Sequence, residues 1–308
     1  ITLNPIIDAS KKSGSFVAAS NTVVLTADQK NQLKARELYV NIHTTLAPGG
    51  EIRGQLLPES DAYFQANLTG DQENPSIMSP GHGSVVAELI GTKLVISGSA
   101  KGLISGVNTG IRQGGHLHLG FAGQNGGIQL ELKPTLGDSL GTSVQYLAVD
   151  NSFDLTPAQL AALKASQLYA NIHTNSYGGG EIRGQVTPMS TARFRVHFSG
   201  AYEPIPVPSM AGGALTLNLI DSTLSITGSF NGLESNWNGG NHLHKGLAGL
   251  NGGIQLILKS TPASDLRSGT YSGDSNVFKL TSTNLDDLFA RRLYGNVHSV
   301  NYPGGEIR

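Results

Sequence analysis

The sequence predicts an all-β fold, built as tandem antiparallel β-sandwich or Greek-key modules that each carry one short helix. Three observations predict it. Long motifs recur in phase at 125 to 130 residues, the length of one ordinary domain. Between them lie short β-branched runs bounded by turn residues. Finally, 40 glycines in 308 residues and a charged fraction of only 14% describe a chain rich in turns and uncharged polar surface.

The hairpin signal is clearest at Ser84–Ile90 and Lys93–Gly98, two β-branched runs separated by Gly91 and Thr92. Leu215–Leu219 and Thr223–Thr227 repeat it. One helical signal interrupts the strands. Thr156 stands at a cap position, Pro157 at the first helical position, and Leu160 and Leu163 share a face. The signal recurs from Thr26 to Leu33 and, with Thr283 as the corresponding threonine, to Leu288. A short helix is therefore expected before each Leu-Tyr-x-Asn-(Ile/Val)-His strand.

That strand appears three times, as Leu38–His43, Leu168–His173 and Leu293–His298, each followed by Gly-Gly-Glu-Ile-Arg. A second motif appears twice, as His116-Leu117-His118 and His242-Leu243-His244, each followed by a glycine-rich segment ending Asn-Gly-Gly. Read in phase, residues 1–57 are the C-terminal half of a module, 58–188 a complete one, and 189–308 a module lacking its last strand residues. The offset falls from 130 to 126 residues before His242, so a loop there is expected to be four residues shorter. Incomplete ends lead us to expect a segment of a longer array, or one completed by self-association through exposed strand edges.

The ordered set of Leu68-Thr69-Gly70-Asp71-Gln72-Glu73-Asn74-Pro75, the His-x-His motif with its glycine-rich tail, and the Leu-Tyr-x-Asn-Ile-His strand with Gly-Gly-Glu-Ile-Arg resembles the CHRD (chordin-type) domain over essentially the whole chain. The resemblance implies an extracellular or cell-surface β-domain, often in tandem, and says little about chemistry. Gly200-Ala201-Tyr202-Glu203-Pro204 departs from the pattern and has no counterpart of Asp71.

In a strand, residues i and i+2 face the same way, about 6.6 Å apart. His116 and His118 then share one face while Leu117 points to the core, and Tyr39, Asn41 and His43 oppose Val40 and Ile42. This reading places the histidines on the solvent face. If the two strands are neighbours, three imidazoles converge: His116, His118 and His173 in one module, and His242, His244 and His298 in the next. His43 would belong to a third set. Such a set with an open position suits Cu(II) or Zn(II), and copper is favoured in the absence of any thiolate. The arrangement is similar to the copper ligands of Cu/Zn superoxide dismutase. The alternative is hydrogen bonding to Asn41, Asn171 or nearby carbonyls with no metal. Glu51, Glu181 and Glu306, eight residues after the strand histidines, are candidates for a fourth ligand or for an acceptor that fixes an imidazole tautomer. A cross-strand pair with the arginine two residues on is the other reading.

A net charge of −1 supplies no footprint for nucleic acid or an anionic membrane. No apolar run is long enough to insert in a bilayer, and the first residues do not read as a signal peptide, so a secreted protein would have lost it. Without cysteine there are no disulfides or thiolate ligands. No Gly-x-Ser-x-Gly and no recurring acidic pair anchors hydrolytic chemistry. Two functions remain: a repetitive structural or interaction protein of the cell surface, as a filament or array, or a metal-storage or redox protein for which the array is scaffold.

Overall fold

A computed structural model describes residues 1–308, which divide into two compact units, 1–58 and 59–308. In the first unit, β1 (Ile6–Ile7) pairs with β2 (Gly14–Ser15), and α1 (Ala27–Lys34) precedes an antiparallel hairpin of β3 (Tyr39–Ile42) and β4 (Ile52–Gln55). Thr26 and Gln29 close a reciprocal capping box at the start of α1.

The second unit begins with β5 (Ala62–Thr69), β6 (His82–Ile90) and β7 (Lys93–Lys101), followed by β8 (Gly115–Leu119) and β9 (Ile128–Leu132). Short strands β10 (Pro134–Leu136), β11 (Val144–Tyr146) and β12 (Ser152–Asp154) lead to α2 (Pro157–Lys164), β13 (Leu168–Ile172) and β14 (Ile182–Pro188). Every pairing is antiparallel, in the order β10-β11-β7-β6-β5-β14-β13-β8-β9, with β12 also on β7. β9 and β10 end this order on opposite sides, yet only Lys133 separates them in the chain. The sheet must therefore roll until its edges adjoin, forming a near-barrel. Leu68, Leu94, Ile96, Leu117, Leu163, Leu168 and Ile172 are among the residues that fill it.

The same order recurs in β15 (Ala192–Ser199), β16 (Gly212–Ile220), β17 (Thr223–Asn231), β18 (Trp237–Lys245), β19 (Ile254–Ile257), β20 (Thr261–Pro262), β21 (Gly269–Tyr271), β22 (Val277–Lys279), α3 (Ser282–Phe289) and β23 (Leu293–Ser299). Here the β14 position is represented by Ile307 and Arg308, which bond to Val297 and Ser199. A second core forms around Leu215, Leu224, Ile226, Phe230, Leu243 and Val297. The two modules touch through Ser229 Oγ donating to the Ala122 carbonyl at 2.7 Å, and through an Arg195–Asp71 ion pair at 3.2 Å.

The helix caps match the expectation at Thr26 and Thr156, but the third cap is Thr281 rather than Thr283. Thr281 Oγ1 accepts from Asn284 N at 3.2 Å, and Thr283 lies inside the helix. The repeat spacing of 125 residues places Thr281, not Thr283, opposite Thr156.

Candidate metal centre

β8 lies against β13 with His116 opposite Asn171 and His118 opposite Tyr169. Alternation along both strands sends Leu117, Leu168, Ala170 and Ile172 into the core and the polar set to the other side. His173 follows the last residue of β13, and its backbone N–H donates to the Gly114 carbonyl at 2.8 Å. The ring centroids of the three histidines stand 4.8 to 5.5 Å apart. Their donor atoms all lie within 4.8 Å of one another.

The expectation of a solvent face is wrong for this set. His116, His118 and His173 are 0%, 7% and 5% exposed. Residues 106–114, 120–127 and 178–180 fold over the strands as a second layer, and their carbonyls hold the rings. His118 Nδ1 donates to the Gly126 carbonyl and His173 Nδ1 to the Gly178 carbonyl, each at 2.9 Å. His116 donates through Nε2 to the Arg112 carbonyl at 2.7 Å. A carbonyl only accepts, so each bonded nitrogen carries the hydrogen and the other nitrogen of each neutral ring presents a lone pair. Those free atoms are His116 Nδ1, which is buried without a partner, and the Nε2 atoms of His118 and His173, which face each other at 3.4 Å.

Burial holds all three imidazoles below their usual pKa, that of His118 down to about 4. A proton does not relieve the facing lone pairs at neutral pH. Two nitrogens bound to one tetrahedral ion at about 2.0 to 2.1 Å stand roughly 3.3 Å apart, close to the separation seen here.

The second set repeats the arrangement. His244 Nδ1 donates to the Gly252 carbonyl at 2.9 Å and His298 Nδ1 to the Pro303 carbonyl at 3.0 Å. His244 Nε2 is buried without a partner, and His298 Nε2 stands 3.4 Å from His242 Nδ1. The same three atoms therefore converge in both modules. His43, the one histidine of the first unit, is exposed and donates through Nδ1 to the Pro48 carbonyl at 2.8 Å.

The carboxylates go elsewhere. Glu181 is fully buried and accepts from Thr174 Oγ1 at 2.7 Å, Ser79 Oγ at 2.6 Å and Ile104 N at 2.8 Å, so it neither binds an imidazole nor pairs with Arg183. Glu306 likewise accepts from Ser209, Ser299 and Glu234 N. Glu51 accepts from Thr44. The cause is local: Gly180 has φ of +125°, and β14 starts only at Ile182, so Glu181 does not keep the alternation of the strand. The amide of Asn171 packs where a side chain on Gly180 would stand, and Gly50 with Asn41 and Gly305 with Asn296 repeat this contact.

Two residue types that support the centre were not singled out from the sequence as its supports. The Tyr169 ring stacks on His118 at 5.0 Å, and the Arg183 guanidinium lies 3.5 Å from the Tyr169 centroid. Arg183 also donates to the Phe121 carbonyl and Asn125 Oδ1, tying the covering loop to the sheet. His244, Tyr294 and Arg308 form the same column, and Arg53 covers Tyr39 in the first unit. The signal was the threefold recurrence of Leu-Tyr and Glu-Ile-Arg.

Glu73 sits beside this column, buried, with Oε1 unpartnered. Burial raises its pKa to about 8, opposed by the nearby Arg183. A raised folded-state pKa means that the proton-linked stability is complete below the unfolded value near 4.5 and is lost as pH rises through about 8. The melting temperature is expected to fall between pH 5 and pH 9. Glu73→Gln should flatten that fall, and an unchanged slope in calorimetry would show that Glu73 is not its source.

Fold and sites together define a tandem β-repeat protein with an imidazole cluster in each of its two larger modules. The CHRD domain family model matches residues 2–56, 64–186 and 194–308, and the chain belongs to that family. No curated protein matches the chain.

Proposed function

We propose that this chain is a repetitive extracellular or cell-surface structural or interaction protein whose two larger modules each hold a metal ion, copper in preference to zinc, on three imidazoles. One observation carries the metal reading: backbone carbonyls fix tautomers that leave two imidazole lone pairs facing each other at 3.4 Å in a buried site. A cation relieves that repulsion, and three nitrogens at one point suit a four-coordinate ion with one position free. Copper stands above zinc in the general affinity order for nitrogen donors. When bound, it would supply Lewis acidity or one-electron chemistry. The protein contributes fixed tautomers, stacking on Tyr169 and exclusion of water from His116.

The surface role rests on the family and on the tandem organisation. No helix is long and apolar enough to cross a membrane. In the first unit, Ile42, Ile52 and Leu56 are exposed on one face of a two-stranded hairpin, a surface suited to β contacts with a further module. Light scattering of native material tests this, and a monodisperse monomer would count against self-association.

Metal analysis of the whole chain tests the centre. After loading with Cu(II) and dialysis, two equivalents per chain are expected, with a higher melting temperature, since saturation at 100 times Kd stabilises by about 2.7 kcal/mol. Retention of no metal, from either copper or zinc, removes the reading.

A further inference from the structure

The two imidazole sets have the same donor atoms but different covers. In the first, residues 106–114 lie across the rings and are tied to the strand that carries His173. Asn108 N donates to the His173 carbonyl at 2.9 Å, Asn175 N to the Gly106 carbonyl at 3.0 Å, and Val107 bridges Thr174. This segment brings the Arg112 carbonyl onto His116 Nε2 and leaves His116 with no exposed surface.

In the second module the corresponding connection is four residues shorter. Val300 N still donates to the Asn236 carbonyl at 2.9 Å, as Asn175 does to Gly106, but the chain then enters β18 directly. Beside the rings it places Gly240, preceded by Gly239. A side chain at Gly239, where φ is +95°, would meet open space, whereas Gly240 rests on the His298 ring. No carbonyl takes His242 Nε2, and its ring is partly exposed. The difference arises from the connection itself, because His244 and His298 keep the same carbonyl partners as His118 and His173.

Resting on the metal reading above, we infer that the centres differ in kind. The centre at His116, His118 and His173 is closed to exogenous ligands. The centre at His242, His244 and His298 keeps an exchangeable coordination position that a small anion enters from solvent beside His242. The chain then combines one sealed, retentive metal site with one reactive site, and the length of the segment before the His-x-His motif decides which is which.

Azide titration of the full chain loaded with two equivalents of Cu(II) tests this, read by the azide-to-copper absorption band and by electron paramagnetic resonance. One azide per chain is expected, with half of the copper signal shifting. In the His116→Ala/His118→Ala variant, the one remaining copper should respond in full. In the His242→Ala/His244→Ala variant, the remaining copper should not respond. Two azides per chain, none, or a response that follows the first centre would overturn the inference while copper retention upheld the metal reading. Failure to retain copper at all would overturn both. If one variant misfolds, the stoichiometry on the unsubstituted chain together with the other variant still assigns the responding centre.

Discussion

Replacement of His116 and His118 together by alanine is expected to halve the metal content of the loaded chain, from two equivalents to one, while the fold persists. The side chains removed supply two of the three converging nitrogens, and His173 alone cannot hold an ion in competition with water. The fold should survive because Leu117, between them, points to the core, and the apolar layer of Leu168, Ala170 and Ile172 faces away from the site. Loss of two buried rings leaves space, but it also removes an unpartnered Nδ1 and one member of the facing Nε2 pair. The net cost is on the order of 2 kcal/mol, within the range for truncation of buried side chains. Circular dichroism and metal analysis on the same sample check both halves of this expectation. His43→Ala is the control: an exposed imidazole with no second histidine in its unit should change neither quantity. Two equivalents retained in the double variant would place the metal elsewhere.

The convergence of the triads was legible because it needs only two things, strand alternation and the adjacency of two strands. His-x-His puts both rings on one side, and the pairing of β8 with β13 brings the third beside them. Their burial was not legible. Alternation separates two faces of a sheet without saying whether a loop covers the second one, and here the cover comes from glycine-rich segments that carry little apolar signal of their own. The role of Glu181 was misread for a related reason. Its spacing from His173 suggested a cross-strand neighbour, but the positive φ at Gly180 breaks the alternation before the strand begins. Arg183, two residues later, does lie on the strand, and it stacks on Tyr169 as the recurring Leu-Tyr and Glu-Ile-Arg motifs allow. The closing of the sheet follows from β9 and β10, which are separated by one residue yet stand at opposite ends of the strand order. That fact lies in long-range pairing, which no local window of sequence contains.

Gly126→Ala should be among the most damaging single substitutions in the complete module, and Gly127→Ala, its neighbour, nearly neutral. A Cβ built on Gly126 falls 1.5 Å from the Leu119 carbonyl oxygen, which no rotamer change relieves because the position of a Cβ is fixed by its own backbone and its partner is a backbone atom. Nothing lies within 4 Å of a Cβ on Gly127. To admit alanine at 126, the loop must lift from the sheet. Three contacts are then at risk: Leu119 N to the Gly127 carbonyl at 2.9 Å, Gly126 N to Tyr169 Oη at 3.1 Å, and His118 Nδ1 to the Gly126 carbonyl at 2.9 Å. Each such bond contributes about 1 kcal/mol, and the groups left buried cost more, so a loss of roughly 3 kcal/mol or greater is expected. The third contact links stability to the site. Once the carbonyl moves, nothing fixes the His118 tautomer with Nε2 toward His116 and His173, and metal affinity at this centre should fall by the 10- to 100-fold typical of losing such an outer partner. Gly252→Ala should do the same to the second centre, since its Cβ would stand 1.5 Å from the Lys245 carbonyl oxygen and its carbonyl holds His244. Denaturant melts and metal-competition titrations of the two neighbouring variants, 126 and 127, measure the contrast. Equal behaviour of the pair would show that this loop does not rest on the sheet edge as described and that His118 takes its orientation from something else.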